Sequence, residues 1–203
     1  MTRLETAILE LNAARAAYDE AKGSAWFPGD DVSARLLAAQ AAVTSASGGE
    51  HASVLAALPP CDAGAPMPLV LGDGHSVWLS YFGADEPFFT DRAVVKFTRV
   101  DSVIFGGAND EALTGHRLWG RGLAPYAFHE VVGSQWIQSR ERENSVHDYH
   151  RPAAFARLRH FVYTFHDETF ECLADDFELG ASGLVTVASE LSEAALGDPG
   201  PGT

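Results

Sequence analysis

Apolar residues in the first 58 positions recur every three or four residues, which is the spacing of one helical face. The first stripe consists of Leu4, Ile8, Leu11 and Tyr18. The second stripe consists of Val32, Leu36, Ala39 and Val43. The pattern predicts two helices, and residues 50–58 predict a short third. Because alanine is frequent and the stripes are narrow, we expect these helices to dock on the protein's own sheet or, alternatively, on a second copy in a homodimer.

Residues 59–68, PPCDAGAPMP, form the clearest interruption of the chain. Four prolines in ten residues exclude a regular helix or a central strand. We interpret this stretch as a linker between a helical N-terminal segment, residues 1–58, and a β-rich body, residues 69–196. The last residues, 197–203, are rich in glycine and proline and predict a disordered tail.

The body opens with alternating apolar and polar residues, which is typical of strands. Residues 68–71 and 76–82 flank a Gly-Asp-Gly turn and predict a hairpin. Residues 93–105 alternate throughout and predict one long strand. Residues 106–122 are polar and rich in glycine, so we interpret them as a loop.

A helix is predicted from Pro125 to about Asn144, because proline suits the first helical position and Phe128, Val132 and Trp136 share one side. A short helix is predicted over residues 152–159. Further along, the sequence predicts a last strand at 184–187 and a short helix ending at residue 196. The order of elements predicts an α+β fold, in which an antiparallel sheet carries a packed central helix and follows a helical N-terminal segment.

The strongest strand signal is HFVYTFHDETFECLA, residues 160–174, which alternates on both sides of a central Asp-Glu pair. A two-residue turn there places His166 opposite Thr169 and Thr164 opposite Glu171. One face is then apolar and predicts core residues, namely Phe161, Tyr163, Phe165, Phe170, Cys172 and Ala174. The other face carries His160, Val162, Thr164, His166, Thr169, Glu171 and Leu173. The polar members of that second face form the candidate site.

The net charge of the chain limits the classes of partner that it can bind. The chain has 203 residues and a formal net charge of −14, so nucleic acid and anionic membrane surfaces would repel it. Residues 116–160 are the exception, with seven arginines and five of the eight histidines against four acids. Such a basic island can hold a small anion, although pairing of the arginines with neighbouring acids is the simpler interpretation.

The sequence also predicts a location. Cys61 and Cys172 are the two cysteines, and their positions do not suggest a disulfide framework. The N-terminus carries acids throughout and lacks the apolar core of a signal peptide, and no apolar run reaches membrane-spanning length. We therefore expect a cytoplasmic protein.

The candidate chemistry is general acid–base catalysis, since histidine changes its charge near neutral pH and a neighbouring carboxylate orients the ring. We expect His166 to be the acid or base, with Glu171 or Asp167 as its partner and Glu130 joining from the central helix. The residues expected to contact a ligand are Arg121, Arg151, His116 and Thr164, with either arginine as the anion clamp. The alternative is a solvated hairpin end, in which these side chains are ordinary turn residues.

A metal site is a weaker hypothesis. His147 and His150 have the spacing that would place two ligands of a divalent metal on one helical face, but Pro152 favours a loop there. The sequence has no HExxH motif and no cysteine ligand pattern. The glycine-rich pieces LGDGH and FGGAND do not match a nucleotide loop, so neither a nucleotide nor a flavin cofactor is predicted.

The segments GGANDEALTGH, SQWIQSRERENSVH and HFVYTFHDETFEC resemble parts of an uncharacterised bacterial protein family with no assigned activity. The resemblance covers about residues 93–178 and implies no role for any residue. The residues themselves support two hypotheses. The first is a small enzyme that acts on a polar or anionic small molecule through His–carboxylate chemistry. The second is a non-catalytic neutralising or assembly module, whose acidic surface binds a basic partner through the N-terminal helices.

Overall fold

The computed structural model describes residues 1–24, 30–84 and 92–180. Within these ranges the helices are α1 (Arg3–Ser24), α2 (Asp30–Ser47), α3 (Gln135–Asn144) and α4 (Pro152–Ala156). The strands are β1 (His51–Val54), β2 (Leu69–Gly72), β3 (Ser76–Phe82), β4 (Arg92–Thr98), β5 (Ser102–Gly106), β6 (Phe128–Val132), β7 (Arg159–Thr164), β8 (Thr169–Ala174) and β9 (Asp176–Leu179). They form two antiparallel sheets, ordered β1-β6-β7-β8-β5 and β2-β3-β4-β9. The predicted α+β class is confirmed.

The two predicted N-terminal helices are confirmed as α1 and α2, which pack against each other. Their stripe residues Leu11, Leu36 and Val43 are buried in one cluster that also contains Val132 of β6. The helices therefore dock on the protein's own sheet, which buries the apolar stripe that neither helix could bury alone.

Residues 50–58 contain the strand β1, so the interpretation as a third helix is wrong. β1 pairs antiparallel with β6, and Ala52 lies opposite Val131. The Leu55 N–H donates a hydrogen bond to the Phe128 carbonyl just beyond this ladder. A segment this short gains little from helical hydrogen bonds, whereas the edge of the sheet satisfies its backbone at once.

The helix predicted from residue 125 is wrong in its first half, because Phe128–Val132 forms the strand β6. β6 lies between β1 and β7, and all of its residues are buried. A strand covered on both faces loses the polar–apolar alternation, so its apolar residues can imitate a helical spacing. The helix α3 begins only after Gly133, which has a φ of 68°, and Ser134 caps it by accepting a hydrogen bond from the Ile137 N–H.

The predicted hairpin of β2 and β3 is confirmed, with Leu69 opposite Ser80. In contrast, the single long strand predicted over residues 93–105 is divided into β4 and β5, which belong to different sheets. The chain turns between them at Arg99, whose φ of 50° is uncommon for a residue with a side chain. The alternation of residue types is interrupted here, because Thr98-Arg99 and Asp101-Ser102 are each two consecutive polar residues, and this interruption was the available signal of the corner.

The hairpin of β7 and β8 is confirmed, but its register differs from the prediction. Thr164 lies opposite Thr169 and Val162 lies opposite Glu171, so residues 165–168 form the connection. The pairing has shifted by two positions, and a shift of two keeps every side chain on its predicted face. The predicted core face is buried between the two sheets: Phe161, Tyr163, Phe165, Phe170, Cys172 and Ala174.

The core between the sheets is mainly aromatic. Phe97 of β4 packs on Phe161 and Phe170 of the other sheet, with ring centroids 5.5 and 5.2 Å apart. The stretch 59–68 lies against this core, because the hydroxyls of Tyr81 and Tyr163 both donate to the Pro59 carbonyl, at 2.7 and 2.8 Å. These paired contacts tie the proline-rich stretch to both sheets.

Three predictions for the end of the chain fall outside the described residues: the strand at 184–187, the helix ending at residue 196 and the tail 197–203. Cys61 and Cys172 are both buried free thiols. No helix in the described ranges is long and apolar enough to cross a membrane.

Candidate functional site

Glu171 is the centre of the most highly connected polar cluster in the described structure. It lies on β8 and is only 5% exposed. Its Oε1 atom lies 3.3 Å from His116 Nε2 and 3.0 Å from Arg117 Nη1. Its Oε2 atom lies 2.8 Å from His160 Nε2 and 2.6 Å from Arg117 Nη2. Four donors thus surround one carboxylate, which matches the four acceptor positions that a carboxylate offers.

The neighbouring hydrogen bonds determine which ring nitrogens carry protons. An ionised carboxylate only accepts, so His160 Nε2 carries the proton donated to Glu171. Nδ1 of the neutral ring therefore accepts the hydroxyl proton of Ser134, whose Oγ lies 2.8 Å away and also accepts from the Ile137 N–H. His116 Nδ1 accepts from the Leu118 N–H at 3.2 Å. Both imidazoles therefore carry their proton on Nε2 and donate it to Glu171.

Glu50 extends the cluster to the start of α3. Its Oε1 lies 3.2 Å from Arg117 Nε, and its Oε2 accepts from the Gln135 N–H at 3.1 Å. The ring of Trp136 stands edge-on to His160, with centroids 5.2 Å apart. The cluster thus joins the 106–122 loop, the β7–β8 hairpin, the start of α3 and the segment between α2 and β1.

The charges of the cluster follow from these contacts. Burial alone would raise the pKa of Glu171, but hydrogen bonds from His116, His160 and Arg117 hold that pKa far below its usual range. Burial lowers the pKa of His160 in spite of its hydrogen bond to Glu171, so the ring is neutral at neutral pH. No buried side-chain nitrogen or oxygen in the described ranges lacks a partner. Every acceptor position of Glu171 is occupied by a donor from the protein. The cluster therefore stabilises the fold, and this carboxylate has no free lone pair for a substrate.

His166 does not belong to this cluster, so the predicted His166–Glu171 pair is wrong. His166 lies in the 165–168 connection with its side chain 40% exposed. Its Nδ1 lies 2.9 Å from Asp167 Oδ1, and its Nε2 lies 3.9 Å from Asp110 Oδ2. The Tyr126 hydroxyl donates to the same Asp110 oxygen. The hydrogen bond to Asp167 raises the pKa of His166, which keeps this ring protonated to a higher pH than an isolated histidine.

Glu130 is also placed differently from the prediction, on β6 and not on a helix. Its carboxylate accepts from Arg15 of α1 at 2.6 Å and from Arg159 of β7 at 2.6 and 3.1 Å. Burial would raise its pKa, but the charges of the two arginines hold the pKa below the usual range. Glu130 therefore connects α1 to the sheet and has no contact with His166.

The predicted ligand contacts lie in separate places. Arg121 reaches the Gly48 carbonyl at 3.4 Å, and Arg151 is exposed at the start of α4. Thr164 is buried and clamps the preceding loop, since its hydroxyl donates to the Ala124 carbonyl at 2.9 Å and accepts from the Ala127 N–H at 3.1 Å. Of the four residues, only His116 is brought to Glu171.

His147 and His150 lie in the connection between α3 and α4. His147 Nδ1 accepts from the Tyr149 N–H, and His150 Nδ1 lies 3.1 Å from Asn144 Oδ1. Over the residues that the structure describes, no group of three or more His, Cys, Asp or Glu side chains is arranged to hold a metal ion. The two histidines therefore have no third ligand in the described chain.

A surface cavity of about 350 Å³ lies beside the 165–168 connection. Arg92, Asp167 and Glu168 contribute its charged groups, and Pro66 and Leu69 contribute apolar surface. Burial raises the pKa of Glu168, with the charge of Asp167 acting in the same direction. Asp167 both lines this cavity and hydrogen-bonds His166, so it links the two.

The comparisons with known proteins are negative. The chain matches no protein-family model, no curated protein and no solved structure.

The prediction missed His160 as a functional partner, together with Arg117, Ser134 and Glu50. His160 was detectable, because it shares the predicted polar face with Glu171 and an aromatic-rich strand rarely carries a histidine without a partner. Arg117 and Glu50 lie in a loop and after a helix, where no periodic pattern indicates which way a side chain points.

Proposed function

We propose that the protein is a non-catalytic binding module that adds an extended, basic segment of a partner protein to the outer edge of β5. The observation that carries the proposal is the exposure of two large apolar side chains on this edge strand, Ile104 at 48% and Phe105 at 43%. In the described ranges, β5 ends the five-stranded sheet and pairs only with β8. Addition of a strand to such an edge is a common mode of peptide recognition.

β5 lacks the devices by which proteins usually protect a sheet edge. Its sequence is Ser-Val-Ile-Phe-Gly, with no charged residue and no proline. Its pairing with β8 is regular from Ser102 to Gly106, so no bulge disrupts it. Charges, prolines and bulges normally prevent edge-to-edge association, so an edge without them is suited to binding.

The charges beside β5 favour a basic partner. Gly106 lies opposite Thr169, which brings the end of β5 to the connection that contains Asp167 and Glu168. The Asp110 N–H donates to the His166 carbonyl, so the acidic pair Asp110-Glu111 lies at the same end. These four acids outnumber the neighbouring His166 and Arg92, so the excess of negative charge would attract lysine or arginine side chains and would speed their association.

The proposal predicts selective binding of a basic strand-forming peptide. A synthetic peptide of alternating valine and lysine should bind more tightly than its valine–glutamate counterpart, because the acids at the end of β5 attract only the first. The substitution Ile104→Lys should weaken that binding by about tenfold, through loss of apolar burial and added repulsion. Fluorescence anisotropy gives the affinities, and amide chemical shifts show whether the perturbed residues lie on β5.

Val146→Lys is the matched control, because Val146 is more exposed than Ile104 but lies in the connection after α3. It should leave peptide binding unchanged. Equal affinity for the two peptides, or an Ile104→Lys variant that binds normally, would reject the proposal. Analytical ultracentrifugation tests whether a second copy of the chain occupies the edge instead. A dimer that dissociates on the substitution Ile104→Lys would show that it does.

A second candidate function is acid–base chemistry on a polar or anionic small molecule, and the specific observation in its favour is the position of Asp167. This residue hydrogen-bonds His166 and also lines the cavity of about 350 Å³. Arg92 would attract the negative group of the substrate, and His166 would exchange a proton through Nε2, since its Nδ1 is hydrogen-bonded to Asp167. The catalytic partner of His166 would be Asp167, since Glu171 is fully occupied elsewhere.

This second function predicts turnover that depends on His166. When the protein is incubated with a mixture of polar metabolites, mass spectrometry should show consumption of one of them. His166→Ala should slow that consumption by about a hundredfold, which is the usual contribution of a general acid or base. Asp148→Asn, an exposed change in the α3–α4 connection, should have no effect. Consumption at the same rate by His166→Ala would exclude His166 as the acid or base.

A further inference from the structure

A second surface depression, of about 240 Å³, lies where α4 faces the corner between β4 and β5. Its lining includes the side chains of His75, Arg99 and Arg157, one carboxylate, Asp101, and a buried apolar floor of Phe155 and Leu158. Two arginines and a histidine thus surround a small space in a protein whose net charge is −14. This local reversal of sign identifies the depression as a place where an anion would be attracted.

The carboxylate in the lining is already neutralised. Asp101 Oδ2 accepts from Arg140 Nε at 2.8 Å and from the Ser102 hydroxyl at 2.7 Å. Arg140 does not line the depression, so it holds Asp101 from outside. Asp101 is thus balanced by Arg140, and Arg99 is balanced in the same way by Asp175, so the excess positive charge of the depression comes from Arg157.

The two arginines have donors to spare. Arg99 pairs through Nη2 with the buried Asp175, while its side chain remains 44% exposed. Arg157 is exposed at the end of α4, and no carboxylate in the described ranges lies within ion-pair distance of it. A guanidinium carries five N–H donors, so both residues can bind an oxyanion without giving up a contact that they already make.

The backbone at Arg99 supports a functional role for this corner. Its φ of 50° is a conformation that glycine adopts without strain, yet the position is occupied by arginine. The Val100 N–H donates to the His75 carbonyl at 3.0 Å, which fixes the corner beside the third basic residue. Strained non-glycine residues concentrate at ligand sites, because the structure around them must hold the strain.

We infer that the depression formed by His75, Arg99 and Arg157 binds a small phosphate group, either free phosphate or the phosphate of a small monoester. Two arginines from different elements suit an anion with several oxygens. The volume accommodates a phosphate, and the floor of Phe155 and Leu158 can cover the organic part of an ester. This site is separate from the outer edge of β5 and does not depend on peptide binding there.

The test is a titration of the full-length protein with potassium phosphate, compared with potassium chloride at the same ionic strength. Amide chemical shifts of residues 99–101 and 157 should change saturably with phosphate and not with chloride. Arg157→Gln should weaken phosphate binding by about tenfold, because it removes a charge-assisted contact. The phosphate affinity of Arg157→Lys should lie between those of the unchanged protein and Arg157→Gln, since lysine keeps the charge but cannot donate two parallel hydrogen bonds.

Arg142→Gln is the control, because Arg142 is an exposed arginine at the end of α3 that does not line the depression. An equal effect of Arg142→Gln, or the same shifts with chloride, would overturn the inference and reduce it to general charge screening. Phenyl phosphate distinguishes the two sources of the group. Tighter binding than inorganic phosphate identifies a monoester site, weaker binding identifies a free-phosphate site, and binding of neither refutes the site.

Discussion

Replacement of Glu171 by glutamine is expected to lower the free energy of unfolding by about 3 kcal/mol, which corresponds to a fall in Tm of about 6–12 °C for a chain of this length. Glutamine keeps the shape of the side chain but turns half of it into a donor. That amide then faces donors from His116, Arg117 and His160, which leaves buried polar groups without partners. Because Arg117 is 41% exposed, water can solvate it in part, so we place the cost at the lower end of the range for broken buried ion pairs.

The same carboxylate makes part of the stability depend on pH. Its pKa lies below the usual range in the folded protein, so the unfolded chain takes up the proton first as the pH falls. The stabilisation is therefore complete above about pH 5 and is lost progressively toward the lower pKa of the folded state. Since glutamine does not titrate, the difference in unfolding free energy between the two proteins should shrink as the pH falls from about 5 to about 3.

Urea denaturation followed by linear extrapolation measures both effects. Glu143→Gln is the matched control, because Glu143 pairs with Arg140 while its own side chain is 59% exposed. Its replacement should change the unfolding free energy by about 0.5 kcal/mol or less. If the two variants were equally stable, the buried arrangement around Glu171 would contribute nothing beyond an ordinary surface pair.

The faces of the β7–β8 hairpin could be predicted from sequence, whereas its register could not. Alternation with a period of two assigns Phe161, Phe170 and Cys172 to one face whatever the turn length, provided that any shift is an even number of residues. The pairing of individual residues depends on the geometry of the connection, and residues 165–168 use a four-residue connection where two residues were predicted. This difference moved His166 away from Glu171.

The structure of residues 125–144 was harder to predict from the sequence, because local and distant contacts favour different structures. Phe128–Val132 becomes a strand since both neighbours in the sheet, β1 and β7, come from other parts of the chain. Their backbone groups pair with these five residues, and a single-sequence pattern contains no information about that pairing. The start of α3 at Ser134 was detectable, because serine is a favoured N-cap.

The candidate site shows the same limit. Glu171 was identified correctly as a polar residue on a strand face. His116 was predicted as a loop side chain that contacts a ligand, and its contact with Glu171 was not predicted. Their meeting depends on how the 106–122 loop folds over the sheet, where Leu113 and Leu118 are buried against Val162. Burial of those two leucines brings His116 and Arg117 to the carboxylate, and the sequence pattern of a loop does not predict such a path.

Replacement of Glu130 by glutamine is expected to cost about 3–5 kcal/mol of unfolding free energy, the largest effect of any single change considered for this protein. Arg159 donates two hydrogen bonds to the Glu130 carboxylate, and Arg15 of α1 donates a third. The side chains of the two arginines are only 12% and 17% exposed, so water cannot replace the lost carboxylate charge. Hydrogen exchange should rise most in α1, because its charged tie to the sheet is lost, while the β3–β4 pairing should keep its protection.

Asp176→Asn is the sharpest control, because Asp176 binds the same Arg159, at 3.2 Å, from a position where its side chain is 44% exposed. This substitution should lower the free energy of unfolding by about 1 kcal/mol or less. Each substitution removes one negative charge beside Arg159 and one partner of α1, since Glu130 pairs with Arg15 and Asp176 with Lys22 at 3.3 Å, so the comparison sets a buried carboxylate against an exposed one. A cost for Glu130→Gln no larger than that for Asp176→Asn would mean that the buried carboxylate holds α1 no more strongly than the exposed one. A larger cost, with faster exchange confined to α1, would establish that a buried carboxylate on β6 fixes the N-terminal helices to the sheet.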